Sequence, residues 1–155
     1  MKKKIISLTL TVLMLLLTVT IASAADHNLG LGVYGGIANY GSLSLYYRAS
    51  NTMAVQGLVN TYYLGAKAMF DLEKDPNYNF YGFGKAGFNF NKGLDIGAGA
   101  GIEYFLFKAL NISDIKELHR IGLMLDLGIS FQAYETVESK SAIKIGLGSG
   151  IHYYF

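Results

Sequence analysis

The chain has 155 residues, thirteen basic and eleven acidic, with nineteen glycines, twelve tyrosines, nine phenylalanines, one proline and no cysteine. Without a thiol it has neither a disulfide framework nor a thiolate metal site. Three of the basic residues are Lys2, Lys3 and Lys4, so ten basic residues face eleven acidic ones beyond them, and no basic run is left there to attract nucleic acid.

Residues 1–24 read as a secretory signal. The three lysines form a basic head, residues 5–21 are uncharged and mostly apolar, and Ala22-Ser23-Ala24 supplies small residues for cleavage. The rival reading is an uncleaved membrane anchor, and the small-residue site directly behind the apolar stretch favours cleavage. No cysteine follows that site, so it is not a lipoprotein signal. Residues 25–155 are then expected to form one domain.

In that domain no apolar run approaches the roughly 18–20 residues of a membrane helix. Its glycines and aromatics point to strands. Eight are predicted, over 29–37, 41–49, 52–59, 62–71, 80–90, 94–107, 121–134 and 141–155. Turn chemistry separates most of them, at Asn39-Tyr40-Gly41, Ser50-Asn51, Asn60-Thr61 and Asn91-Lys92-Gly93. Residues 52–71 are the least certain division, since one long strand would also fit. Two longer connections are expected, 73–79 around Pro76, and 108–120. In the second, residues 113–118 could form a helical turn capped by Ser113.

Side-chain parity is the strongest signal. In the sixth strand Leu94, Ile96, Ala98, Ala100, Ile102, Tyr104 and Leu106 share a face, and Asp95 and Glu103 take the other. In the seventh, Ile121, Leu123, Leu125, Leu127, Ile129 and Phe131 oppose Asp126. In the eighth, Leu147, Ile151, Tyr153 and Phe155 oppose Gly146, Gly148, Gly150 and His152, while Lys144 opposes Ile143 and Ile145. The second and fourth strands repeat the pattern with Arg48 and Lys67. The fifth is ambiguous, because Phe80, Phe88 and Phe90 oppose Tyr81 and Phe83; Lys85 is placed inward there by analogy. A charge facing lipid at mid-bilayer costs ~2–4 kcal/mol, and only helices and closed barrels satisfy the backbone in lipid. The reading is therefore all-β: an eight-stranded antiparallel up-and-down transmembrane β-barrel. Outward aromatics fall in two bands, Tyr47, Phe70, Phe80, Tyr104, Tyr153 and Phe155 at one end, Phe88, Phe90 and Phe131 at the other, as interfacial girdles would.

The stretch 146–155, with Gly148, Gly150, Ile151, Tyr153 and Phe155, resembles the C-terminal signature of the small OmpA/OmpX-like outer-membrane barrel family. The run 43–57 (Leu-Ser-Leu-Tyr-Tyr-Arg-Ala-Ser-Asn-Thr-Met-Ala-Val-Gln-Gly) looks like a strand-turn-strand of the same family. The resemblance implies an integral protein of the outer membrane of a Gram-negative type envelope. Its partners would be outer-membrane lipid and, during insertion, the barrel-assembly machinery that reads this signature. A monomer is expected, and an eight-stranded barrel should have both chain ends periplasmic. The two longer connections then fall on the periplasmic side and the outer loops are short, the reverse of the usual pattern. The scaffold serves structural, adhesive, enzymatic and transport roles, so it does not imply one function.

No catalytic, metal or cofactor site is expected. The runs 30–35 and 82–87 match the glycine fingerprint of dinucleotide binding, but neither opens a helix in a βαβ unit, so the pattern lacks its mechanism. Inward glycines, Gly97, Gly99, Gly101, Gly146, Gly148 and Gly150, leave room for long side chains in a narrow barrel. His27, His119 and His152 share no metal-ligand spacing. Barrels that deacylate lipid A pair histidine and serine two apart on one strand, a motif missing here, although a triad can arise from unrelated chain order. The inward charges Arg48, Lys67, Lys85 and Lys144, against Asp95, Glu103 and Asp126, suggest an ion-pair network plugging the lumen. Lys144 and Arg48 are expected to approach the glycine-rich inner face of the first strand. The alternative is a narrow pore for small solutes or ions, with lumen charges setting selectivity. A soluble ligand-binding barrel would need the opposite parity.

Overall fold

The computed structural model describes residues 28–37, 39–111, 116–133 and 142–155. The expected signal segment, with His27, and residues 38, 112–115 (with Ser113) and 134–141 lie outside these residues. Eight strands follow in chain order: β1 (Leu29–Ile37), β2 (Asn39–Arg48), β3 (Met53–Val59), β4 (Tyr63–Lys74), β5 (Tyr78–Asn89), β6 (Gly93–Tyr104), β7 (Ile121–Gln132) and β8 (Ala142–Tyr154). Each pairs antiparallel with its sequence neighbour, and β8 closes on β1 from Gly30↔Tyr154 to Ile37↔Leu147. Closure leaves no strand edge unpaired. The ladder Met53↔Phe70 to Val59↔Leu64 makes the stretch 52–71 two strands rather than one.

Three boundaries differ most from expectation. Asn39 and Tyr40 belong to β2 instead of a turn, and a bulge lies between Tyr34 and Gly36 on β1. The connection around Pro76 shrinks to residues 75–77, because β4 and β5 extend along each other past a bulge between Asp71 and Glu73. There Asp75 Oδ1 accepts from the Asn77 N–H at 2.9 Å, an Asx-type turn that replaces a loop. At the end of β6, Phe105 leaves the sheet and a short helix, α1 (Leu106–Ala109), begins, followed by a 3₁₀ turn over Lys116–Arg120. On the far end residues 60–62 join β3 to β4 and 90–92 join β5 to β6, both short as expected. The Asn91-Lys92-Gly93 turn forms as predicted, with Gly93 at φ 95°, a conformation that favours glycine.

Apart from Glu73 and Lys74, which end β4 beyond its bulge, every charged residue in the described strands faces the bore. Outward faces carry Leu31, Val33, Leu43, Leu64, Phe70, Ile96, Leu125, Leu127, Ile129, Ile143 and Ile145, all exposed; Ser149 is a small polar exception on β8. The ambiguous β5 sends Tyr81, Phe83 and Lys85 inward and Phe80 and Phe88 outward. The bore fills by pairing large side chains with glycines. A Cβ at Gly148 would run into the Tyr34 hydroxyl, one at Gly65 or Gly87 into the Tyr63 ring, and one at Gly101 into Tyr81 and Asp126. Large against small across neighbouring strands is how a narrow barrel reaches interior packing density.

Candidate functional site

The centre of the bore is an ion pair. Strand parity aims Lys67 inward between Gly65 and Met69, and Asp126 inward between Met124 and Gly128. They meet at 2.6 Å, with side chains 1% and 2% exposed. Asp126 also accepts hydrogen bonds from the Tyr34 and Tyr81 hydroxyls, the latter at 2.6 Å. The Lys67 ammonium lies 4.7, 5.1 and 5.4 Å from the ring centres of Tyr34, Phe83 and Tyr81. A buried pair is tolerable only when its remaining valences are met. Here the carboxylate has three donors and the ammonium has one carboxylate and three aromatic faces.

Further charges lie toward either mouth. At the end where β1 begins and β8 finishes, Arg48 donates to Asp71 Oδ2 at 2.7 Å and to the Tyr46 hydroxyl at 2.7 Å. Buried Glu103 accepts from the Tyr154 hydroxyl and from Asn79 Nδ2 at 3.3 Å. Tyr46 meets Tyr154 edge-on at 5.1 Å, and Phe105 packs on Tyr154 at 5.8 Å. Toward the far end Lys85 pairs with Asp95 at 3.2 Å, and Lys144 donates to Gln132 Oε1 at 3.0 Å.

All seven charges anticipated from parity thus lie on the inner wall. Five of them fall in three ion pairs, Arg48 with Asp71, Lys67 with Asp126 and Lys85 with Asp95, while Lys144 donates to Gln132. The acid of the outermost pair, Asp71, was not among the seven, although it shares the odd parity of Lys67 and could have been found from it. Glu103 is held by hydroxyl and amide donors instead of a cation. Arg48 and Lys144 do not converge on the glycines of β1. Those glycines face Tyr154 at Gly30 and His152 at Gly32. Of the C-terminal signature, Gly148 and Gly150 face the bore, whereas Ile151, Tyr153 and Phe155 face outward.

One contact had no signal in the sequence. Ser44 Oγ lies 2.6 Å from His152 Nε2, and Gln56 Nε2 donates to Ser44 Oγ at 2.7 Å. The partners are far apart in the chain, on β2 and β8, and only closure of the barrel brings them together. A serine hydrogen-bonded to a histidine is the start of a nucleophilic site. Here both side chains are 0% exposed, and Nδ1 of His152 has no partner among the described residues, hence no carboxylate to orient it.

Two cavities frame this filling. One of about 20 Å³, lined by Tyr34, Phe83, Lys85 and Asp126, is close to the size of a single water. The other is a cup of about 650 Å³ at the mouth of β1 and β8, floored by Tyr46, Glu103 and Tyr154 and walled by the 75–77 turn and the β6–β7 connection. Comparison with protein-family models and with curated proteins finds no match for this chain.

Proposed function

We propose that this chain is an integral outer-membrane barrel that works as a non-enzymatic structural or surface-interaction element, its lumen plugged by paired charges and aromatics. One observation carries this reading: apart from Ser149 on β8 and the charges Glu73 and Lys74 at the end of β4, the exposed wall of the closed barrel is apolar and strand charges turn inward. Exposed apolar area on this scale is far beyond what a soluble monomer presents, and it is what lipid requires of a barrel. The outward aromatics near the two ends, Tyr47, Phe70, Phe80, Tyr104 and Phe155 against Phe88, Phe90 and Phe131, fit interfacial girdles. Insertion by the barrel-assembly machinery and an outer-membrane location belong to the same proposal. The desolvated Lys67–Asp126 pair across the bore favours a plug over a pore, and the buried Ser44–His152 pair without an acid favours a structural role over lipid modification.

The missing cysteine makes the test clean. Single variants Leu127→Cys, Ile145→Cys and Lys92→Cys are each labelled with a fluorophore and refolded into vesicles carrying brominated acyl chains. Strong quenching at positions 127 and 145 and weak quenching at 92 is expected. Equal quenching at all three would remove the membrane reading.

A further inference from the structure

We infer that the cup at the mouth of β1 and β8 is a binding site for an oxyanion of the phosphate class. At about 650 Å³ it lies within the range of small-molecule pockets. It is closed at its floor by Tyr46 and Tyr154, so it is a blind recess and not the entrance to a channel.

Its charges are unevenly committed. Two acids line it, and both already accept protein donors: Glu103 from Tyr154 and Asn79, and Asp75 from the Asn77 N–H. Of the cations that line it, Arg48 is tied to Asp71 and Tyr46. Lys74, Lys108 and Arg120 form no side-chain hydrogen bond or ion pair among the described residues. Two of these three come from the β6–β7 connection and the third from the end of β4, so separate segments of the chain supply them to one recess. Arg120 is half-buried with its donors unused, which a guanidinium in this setting sustains best with a bidentate oxyanion partner. Nearby Glu73 does not line the cup, and its carboxylate accepts from Tyr78 at 2.7 Å. Uncommitted donors of one sign around a recess of this size select a ligand with several anionic oxygens. A free phosphorylated solute and the phosphate of a lipid headgroup share that chemistry.

The test titrates inorganic pyrophosphate by calorimetry into the full folded chain in maltoside micelles, folding being checked by heat-dependent gel migration. One-site saturable binding is expected. Lys108→Gln and Arg120→Gln should each weaken it about tenfold, the loss of a charge-assisted hydrogen bond, and Lys92→Gln at the opposite mouth should leave it unchanged. No saturable binding at millimolar pyrophosphate, or equal binding by both cup variants, overturns the site. A second arm repeats the titration in vesicles. Affinity that falls with phosphatidylglycerol but not with phosphatidylcholine alone assigns the site to a headgroup phosphate; affinity the same in both assigns it to a free solute. The micelle arm needs only a folded barrel, so its failure is separable from failure of the membrane reading.

Discussion

At the residue scale the lumen depends on compensation and not on the presence of charge alone. Asp126 satisfies Lys67, Tyr34 and Tyr81 at once, so removing its charge strands an ammonium in a desolvated bore. Asp126→Asn is expected to cost about 3–5 kcal/mol, as for a broken buried pair, read from the urea midpoint of the compact gel band. The double variant Lys67→Met, Asp126→Leu should recover much of that loss, because it removes both charges. A midpoint for Asp126→Asn equal to the parent's would mean that the pair contributes nothing to stability. That Lys67 and Asp126 point inward was legible from parity alone. That they pair with each other was not, since fifty-nine positions separate them and parity gives a face without a height.

At the element scale each strand has two unlike faces, and glycine means something different on each. Gly99 on β6 faces the bore, where a Cβ would crowd the Leu127 carbonyl and lie 2.6 Å from Gly128 Cα. Those are backbone atoms of β7 and cannot rotate away. Gly84 on β5 faces outward, with nothing within 4 Å of a Cβ. Gly99→Ala is therefore expected to destabilise by about 1–3 kcal/mol, as overpacking does, and Gly84→Ala to stay within about 0.5 kcal/mol of the parent. Denaturant midpoints of the two variants check this; similar values would argue that the inward glycines are not there for space. The strand ends were harder to read. Hairpin ends are set by how far two strands run along each other, which is why Tyr78 and Asn79 pair with Lys74 and neighbours instead of forming a loop. The missed Asp71 sits at such an end, where parity is about to break at a bulge.

At the scale of the whole molecule the filled bore predicts electrical silence. Folded protein inserted in a planar bilayer should show no discrete conductance steps, because a paired and aromatic-caged ammonium occupies the centre and the nearest cavity holds about one water. Reproducible ion-selective steps would return the narrow-pore alternative. By itself the sequence determined the all-β class, the number of strands, which way most side chains point and that the charges turn inward, because a period of two residues and the cost of misplacing charge are local properties of a strand. Only the tertiary structure decided which charges meet, that Asp71 holds Arg48, that Ser44 reaches His152, and that a recess with three uncommitted cations opens at one mouth. Those depend on barrel closure and on the heights at which neighbouring strands register, and no single strand encodes either.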